Sequence, residues 1–351
     1  MGNRRHQYVE RHTGRVIDEK LYGDTIVNLI YSHVRESAPQ LFRALTSARI
    51  SSLLGFINFD SLLSSRVFGA SGFLRESGVD LSECVEDCAV FSTARAFFER
   101  KIRYWECRPM PGDPRIVVSP ADSRVIVGSL AESSPLFLKG KFFDADELLG
   151  PRKEDWARVF QGGAFAVFRL TPEKYHYNHT PVAGCVVDFY EIDGPYHSCN
   201  PGAVVALATP YSKNKRVVTL MDTDVAGGSQ VGLVAMVEIV ALMIGDIVQC
   251  YSEERYEAPR PVRKGDFLRK GVPKSLYRPG SSTDVLLFQE ERVEFAPDLL
   301  RNTGLPGVQS RFSRGFGKTL VETELKVRSP IARPAGTNPE GDESGTCPWW
   351  R

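Results

Sequence analysis

Residues 231–251 read VGLVAMVEIVALMIGDIVQCY, and this stretch decides the fold class. Its apolar part, from Val231 to Ile244, is interrupted by Glu238 and is shorter than the roughly 20 residues that a membrane-spanning helix needs. The stretch is rich in valine and isoleucine and contains a Gly-Asp pair that is typical of a turn between strands. We therefore interpret it as strands of a sheet and expect no membrane span.

Further runs of the same kind surround this stretch and are separated by Gly, Pro, Asp and Asn. They are RIVVSPAD (115–122), SRVIVGSL (123–130), AFAVFRLTP (164–172), CVVDFYEI (185–192), AVVALATP (203–210), RVVTLMD (216–222) and DVLLFQ (284–289). Strands at such short intervals indicate a β-rich core. From Asp24 to about Phe98, by contrast, apolar residues recur with helical spacing. The expected fold class is α+β, with an N-terminal helical segment followed by a β-rich, sheet-like or barrel-like core.

Three regions follow from this pattern: helical residues 1–98, β-rich residues 99–328 and a tail, 329–351. The helical region contains LFRALTSARISSLLGFINFDSLLSSRVF (41–68), which is amphipathic and carries three arginines. Such helices either pack on a core or contact a membrane surface. The tail is rich in Pro, Gly and charge, and we expect it to be disordered.

The composition excludes several classes of protein. The 351 residues include 44 Lys and Arg against 43 Asp and Glu, so no excess positive charge favours a nucleic-acid partner. Seven cysteines, spread from Cys84 to Cys347, do not form a disulfide framework, and the polar start lacks the apolar centre of a signal peptide. We expect a cytoplasmic protein. Cys84 and Cys88 lie one helical turn apart without a second ligand pair near them in sequence, so we expect no metal site.

Three polar clusters stand at the ends of predicted strands or in turns between them. They are SPAD (119–122), YHYNHTP (175–181) and PGSST (279–283). Together they supply a carboxylate, two imidazoles and hydroxyls, which are the groups of a Ser-His-Asp device. Each cluster alone also has a structural interpretation, as a capped turn, a pair of buried histidines or a polar loop.

In this order, the clusters resemble the phosphatidylserine decarboxylase family, whose pattern includes FF-x-R, S-P-A-D-G, Y-H-x-x-H-x-P and a late G-S-T before an apolar strand. The matching segments are FFER (97–100), SPADS (119–123), RLTPEKYHYNHTPVAG (169–184), NPGA (200–203), NKRV (214–217), VG (231–232), KG (264–265) and GSSTDVLLF (280–288). The likeness is strong over roughly residues 90–290. Ser123 and Ser281 stand where the family has glycine, and the stretch 266–279 is longer than the family's link.

The resemblance implies a proenzyme that cuts itself and makes its own cofactor. Asp122 would orient and stabilise His179. His179 would then be the base that activates Ser282 for attack on the carbonyl of Ser281. Residue 282 would become an N-terminal pyruvoyl group, which is an electron sink for decarboxylation. His176 would protonate the carbon from which CO2 leaves.

The resemblance implies a pyruvoyl-dependent decarboxylase that converts phosphatidylserine to phosphatidylethanolamine. It also implies peripheral membrane contact and a homodimer of cleaved protomers. Two other functions stay open: decarboxylation of a free aromatic or other amino acid, and a non-catalytic binding protein derived from this family. The cut could also fall before Ser281, although Phe288, six residues after Ser282 as in the family pattern, favours Ser282.

Overall fold

The structure is a computed structural model that describes residues 5–21, 23–47, 78–86, 93–131, 142–242, 246–279 and 282–337. Most of the amphipathic stretch 41–68, Ser281 and the tail beyond residue 337 lie outside the described residues. Within those ranges, no helix has both the length and the apolar character to cross a membrane.

Sixteen strands are found in the described ranges. They are β1 (Gln7–Glu10), β2 (Val16–Asp18), β3 (Val117–Val118), β4 (Ser123–Ser129), β5 (Ala164–Leu170), β6 (Tyr177–His179), β7 (Gly184–Ile192), β8 (Arg216–Asp222), β9 (Leu233–Val240), β10 (Ile247–Gln249), β11 (Phe267–Leu268), β12 (Pro273–Tyr277), β13 (Ser282–Phe288), β14 (Val293–Phe295), β15 (Thr323–Leu325) and β16 (Pro330–Pro334). Together with the helices below, they confirm the α+β class.

Ten of these strands form one sheet in the order β11-β7-β8-β9-β13-β5-β4-β15-β1-β2. Neighbours are antiparallel except for β1 and β15, which are parallel. Two three-stranded sheets, β10-β12-β6 and β14-β16-β3, complete the β structure. The predicted barrel-like core is therefore an open main sheet with two smaller sheets.

The helices are short. They are Asp24–Leu29, continued by a π-helical turn at Ile30–Val34 and by Arg35–Ser37, then Pro39–Leu45, Ala94–Phe98, Tyr104–Cys107, Ala145–Leu149, Glu154–Val159, Pro201–Ala206, Pro210–Lys213, Pro297–Thr303 and Arg311–Phe316, with a 3₁₀ turn at Leu81–Glu83. Several begin where the sequence offers a capping side chain, such as Thr93 or Asp144.

The main sheet is covered on both faces, because successive side chains of a strand point to opposite sides. One face packs against helices, and its buried contacts include Val237, Val285 and Leu287 with Leu149, Phe160, Tyr211 and Phe312. The other face packs against the small sheets, with Met236, Leu286 and Phe288 against Val117, Tyr251, Phe295 and Ile331. Because every second residue of a strand points to the same face, Ser282 lies on this second face together with Leu286 and Phe288.

The predicted strand AVVALATP (203–210) is wrong. Residues Pro201–Ala206 form a helix, in which the Asn200 side chain accepts a hydrogen bond from the Gly202 N–H and proline occupies the first turn. This start signal outweighs the β-branched run that follows it.

Both ends of the chain also differ from the prediction. A disordered tail from Ser329 is wrong for residues 330–334, because β16 pairs with β14 and β3 and buries Ile331 and Ala332 completely. The helical N-terminal region begins instead with β1 and β2, which extend the main sheet. These strands have only three to five residues and no alternation of apolar with polar side chains, so their sequences carry no strand pattern.

A cluster of buried charges joins the N-terminal segment to the main sheet. Arg169 of β5 contacts both Glu19 and Glu322 at 2.6 Å, and Arg124 of β4 contacts Glu19 at 2.7 Å. The His6 Nε2 lies 2.8 Å from Glu322. Burial alone would raise the pKa of Glu322, but the Arg169 charge and hydrogen bonds lower this pKa to about 2. His6, Glu19 and Glu322 are metal-ligand types, yet the two arginines already balance the carboxylates.

We expect Arg169→Met to lower the free energy of unfolding by about 3–5 kcal/mol at neutral pH, because it leaves two buried carboxylates without their shared cation. Urea denaturation measures this loss. The matched control is Arg158→Met, which removes an exposed pair with Asp155 and should cost less than about 1 kcal/mol. A loss no larger than the control's would contradict the role of the cluster.

The loss of stability caused by Arg169→Met should also depend on pH. The folded-state pKa of Glu322 lies below its ordinary value of 4.5, so the stability it contributes is present above that value and is lost as the pH falls towards about 2. The difference in unfolding free energy between the unaltered chain and Arg169→Met should therefore shrink in acid.

Candidate active site

The backbone brings the three polar clusters together. The His179 N–H donates to the Pro120 carbonyl at 2.7 Å, which places the SPAD turn beside β6. β6 pairs with β12, and the Tyr277 N–H at the end of β12 donates to the His176 carbonyl at 3.1 Å. Four residues, 278–281, separate β12 from the start of β13 at Ser282. Clusters that are far apart in sequence thus meet at one end of the main sheet.

Asp122 is held by Arg108 rather than by a histidine. The Arg108 Nε and Nη2 donate to its two carboxylate oxygens at 3.0 and 2.7 Å, and the Val327 N–H donates to Oδ1 at 2.8 Å. Burial alone would raise the pKa of Asp122, but the Arg108 charge and hydrogen bonds lower it to about 2, so the carboxylate is ionised. Arg108 also donates to Glu83 at 2.8 Å and so lies between two carboxylates.

The ring of His179 is oriented by other groups. Its Nδ1 lies 3.0 Å from the Gly271 carbonyl, which can only accept, and its Nε2 lies 3.0 Å from the Tyr175 hydroxyl. The structure does not join Asp122 and His179 by the hydrogen bond that an orienting role would require. Asp122 acts on His179 only through its charge, which raises the pKa of the ring against the larger lowering by burial. The resulting pKa of His179 is about 3, so the imidazole is neutral.

The carbonyl that orients His179 depends on a glycine. Gly271 has a φ of +75°, which side chains rarely adopt, and a Cβ on it would lie 2.3 Å from the Met110 sulfur. A side chain at position 271 would therefore strain the turn that presents the carbonyl to the ring.

His176 is packed against an aromatic ring. It stacks on Phe98 with 3.5 Å between ring centroids, and neither of its ring nitrogens makes a hydrogen bond of good geometry in the described structure. Burial, reinforced by the charge of Arg100, lowers the pKa of His176 well below its ordinary value. The Lys174 backbone acts on the ring in the opposite direction and raises this pKa, but by less than burial lowers it.

Ser282 is the first residue of β13 and is fully buried. It lies opposite Leu170 of β5 and Val240 of β9, and its Oγ has no hydrogen-bond partner among the described residues. Buried polar atoms without a partner among the described residues also occur nearby on Asn178 and Asp284, and elsewhere on Thr219 and Thr323.

Sequence reasoning missed the groups that hold the predicted residues. Arg108 lies in none of the motifs that the sequence offers. Tyr175 lies inside the YHYNHTP cluster, but nothing in that pattern distinguishes a hydroxyl facing His179 from a core tyrosine. A backbone carbonyl such as that of Gly271 leaves no trace in residue identity, although the glycine itself does.

The residues present fit a pyruvoyl group made from Ser282. No hydrogen bond to a described residue holds the Ser282 Oγ, and pairing of β13 on both sides fixes the backbone that would carry the group. The ketone of a pyruvoyl group condenses with an amine and withdraws electrons from it.

Comparison with known proteins finds a family model and relatives that all carry the name phosphatidylserine decarboxylase. The family model of phosphatidylserine decarboxylase matches residues 94–306. Phosphatidylserine decarboxylase proenzyme 3 of Schizosaccharomyces pombe is 28% identical over 337 residues, covering 95% of this chain and 31% of its own length. The proenzyme of Fusobacterium nucleatum is 26% identical over 85% of this chain and 92% of its own. Proenzyme 2 of Oryza sativa is 33% identical over 64% of this chain and 34% of its own.

The chain thus spans about a third of the fungal and plant relatives and nearly the whole of the bacterial one. The family consists of carboxy-lyases that use a pyruvoyl group formed from a serine by self-cleavage. Because the family model matches more than half of the chain and includes all three polar clusters, the chain belongs to the phosphatidylserine decarboxylase family.

Proposed function

We propose that the chain is a self-processing decarboxylase that cuts itself between Ser281 and Ser282 and converts phosphatidylserine to phosphatidylethanolamine and CO2. The observation that carries this proposal is the Ser282 hydroxyl, which is buried, has no hydrogen-bond partner among the described residues and lies at the end of the sheet where the three polar clusters meet. Leaving a buried hydroxyl without a partner costs about 1–3 kcal/mol. At this position, a serine that is consumed by a reaction accounts for that cost.

The proposed cut moves one proton and one acyl group. The Ser282 Oγ attacks the carbonyl carbon of Ser281 while the His179 Nε2 accepts the hydroxyl proton. The peptide C–N bond then breaks, and the nitrogen of residue 282 takes up that proton, which leaves an ester. The Cα of residue 282 then loses a proton to solvent and its Cβ–O bond breaks, which releases the N-terminal chain as a carboxylate and leaves dehydroalanine. This enamine tautomerises to an imine, water adds to the imine carbon, the nitrogen leaves as ammonia, and residue 282 becomes pyruvoyl.

The histidines suit these roles because both are neutral. Neutral His179 carries its proton on Nδ1, towards Gly271, and so has its lone pair on Nε2. In the uncut structure this lone pair faces the Tyr175 hydroxyl, so Tyr175 must release it before the base can reach Ser282. Neutral His176 retains an N–H, and the proton it gives to the substrate carbon after CO2 departs is restored from solvent.

Adjacent serines allow a matched test of the cut. Ser282→Ala should leave the chain in one piece because the attacking hydroxyl is gone. Ser281→Ala keeps that hydroxyl and should still be cut. Gel electrophoresis of both purified variants measures this, and normal cutting of Ser282→Ala would reject the assignment.

The two histidines should separate cutting from decarboxylation. His179→Ala should slow cutting by about 10²–10⁴-fold, the usual contribution of a positioned general base. His176→Ala should be cut but release CO2 more slowly, because the substrate carbon loses its proton donor. Release of CO2 is measured with phosphatidylserine vesicles and with free aromatic amino acids in parallel. Equal turnover of His176→Ala and the unaltered chain would remove the role given to His176, and turnover of the amino acids alone would overturn the substrate.

We further propose that the N-terminal helices let the protein rest on a membrane surface. Ile26, Leu29 and Leu41 are exposed large apolar side chains, with exposed fractions of 64%, 54% and 52%. Exposed Arg43 lies in the same helix as Leu41 and adds a positive charge that anionic lipid attracts.

The double variant Ile26→Ser, Leu29→Ser should float less with phosphatidylserine vesicles in a density gradient, because its buried apolar area in the lipid is smaller. Val16→Ser, at an exposed apolar position on β2, is the matched control and should float as the unaltered chain does. Equal flotation of the double variant and the control would contradict this contact surface.

A further inference from the structure

Two buried carboxyl groups face each other just beyond the proposed cut. Asp284 of β13 lies opposite Glu238 of β9 in the sheet register, and both side chains are completely buried. Asp284 is two residues after Ser282, so both point to the same face of the main sheet. Two facing carboxylates in an apolar layer repel each other strongly unless cations or protons neutralise them.

The buried cation beside these two carboxyl groups, Lys274, is paired with Glu238. The Lys274 Nζ lies 2.6 Å from Glu238, and Asn178 and Gln249 each donate to the same carboxylate at 3.2 Å. Ser275 also donates to it. Asp284 has no ion pair in the described structure, and its Oδ2 has no hydrogen bond. The Lys274 charge is thus paired with Glu238, and Asp284 has no cation of its own among the described residues.

The contacts of Tyr277 indicate where the missing proton is. Its hydroxyl lies 2.9 Å from the Ile239 N–H, 3.0 Å from the Thr283 carbonyl and 2.7 Å from Asp284 Oδ1. A phenol has one proton, so it can donate either to the carbonyl or to a carboxylate, but not fully to both. If Asp284 carries a proton and donates it to the phenol oxygen, all three contacts become hydrogen bonds.

The groups around Asp284 agree with a neutral acid. Among the described residues, the titratable groups that act on Asp284 are Glu238 of β9 and Lys274 and Tyr277 of β12, and Cys250 just after β10 lies near Glu238. Phe168 of β5 lies opposite Asp284, and Asn178 of β6 is uncharged. Burial and then the charge of Glu238 raise the pKa of Asp284 well above its ordinary value and outweigh the lowering by Tyr277 and Lys274.

We propose that Asp284 is a protonated acid that positions the first residues of β13 for the cut, acting through the hydroxyl of Tyr277. Tyr277 contacts both sides of the site. Its N–H donates to the His176 carbonyl, and its hydroxyl contacts the Thr283 carbonyl, directly after the proposed reacting residue. Asp284 is thus a positioning residue, and its role rests on the proposed cut at Ser282.

If Asp284 has this role, the rate of cutting should fall as the pH rises. As the pH rises through the raised pKa of Asp284, the acid loses its proton, Glu238 then faces a second anion, and cutting should slow. Asp284→Asn keeps a neutral donor to Tyr277, so it should cut at a rate that no longer falls in alkali. Asp284→Val and Tyr277→Phe break the link and should slow cutting by about 10²-fold at every pH, the usual cost of a misplacement of about 1 Å.

The experiment follows cutting of freshly synthesised chains by gel electrophoresis across buffers from neutral to alkaline. Thermal unfolding identifies any variant that fails to fold. An infrared difference spectrum between uncut Ser282→Ala and the double variant Ser282→Ala, Asp284→Asn should show the C=O stretch of a protonated carboxyl at neutral pH, whatever the activity of the chain. Absence of that band, or an alkaline fall in Asp284→Asn equal to that of the unaltered chain, would overturn the inference. Cutting of Ser282→Ala itself would instead overturn the proposed function and leave the spectral result standing.

Discussion

Strand β13 is paired along its whole length, from Ser282 to Phe288, with β5 on one side and β9 on the other. A residue that is to become the new end of a chain would normally fray, since chain termini are poorly ordered unless they are tied down. Here the strand that carries the proposed reacting residue lies inside the main sheet, and its residues after Asp284 include buried leucines and a phenylalanine that pack in the two core layers. The proposed mechanism depends on this constraint, because the other groups must reach a Ser282 whose backbone is fixed.

Buried charge is the second constraint on the site. Arg108 is matched by Asp122 and Lys274 by Glu238, so each of these two buried cations has a carboxylate against it. The groups assigned to chemistry are left neutral: burial outweighs other effects on the pKa values of His176 and His179. Such a site can accept and return protons without carrying an unbalanced charge in its apolar surroundings. The need to balance buried charge also explains why Asp122 pairs with Arg108 and acts on His179 only through its charge.

The sequence predicted the parts of the molecule that repeat or alternate. Runs of β-branched residues identified β4, β5, β7, β8, β9 and β13, and the order of the polar clusters predicted the family. It failed at Pro201–Ala206, where a capping asparagine and a proline outweighed the β-branched pattern, and at β16, where a short strand lies in a segment rich in proline and arginine. The roles of Arg108 and Tyr277 could not be predicted, because they arise from contacts between residues far apart in the chain. No local pattern specifies such contacts.

The central claim is that residue 282 becomes the first residue of a new chain and carries a ketone in place of its amine. The mass of the purified protein under denaturing conditions, with tandem mass spectrometry of the smaller fragment, tests it most directly. The account predicts two fragments, the smaller beginning with a pyruvoyl group at position 282 and the larger ending at Ser281 with a free carboxylate. A single uncut chain after long incubation, or a small fragment that begins with an ordinary serine, would contradict it.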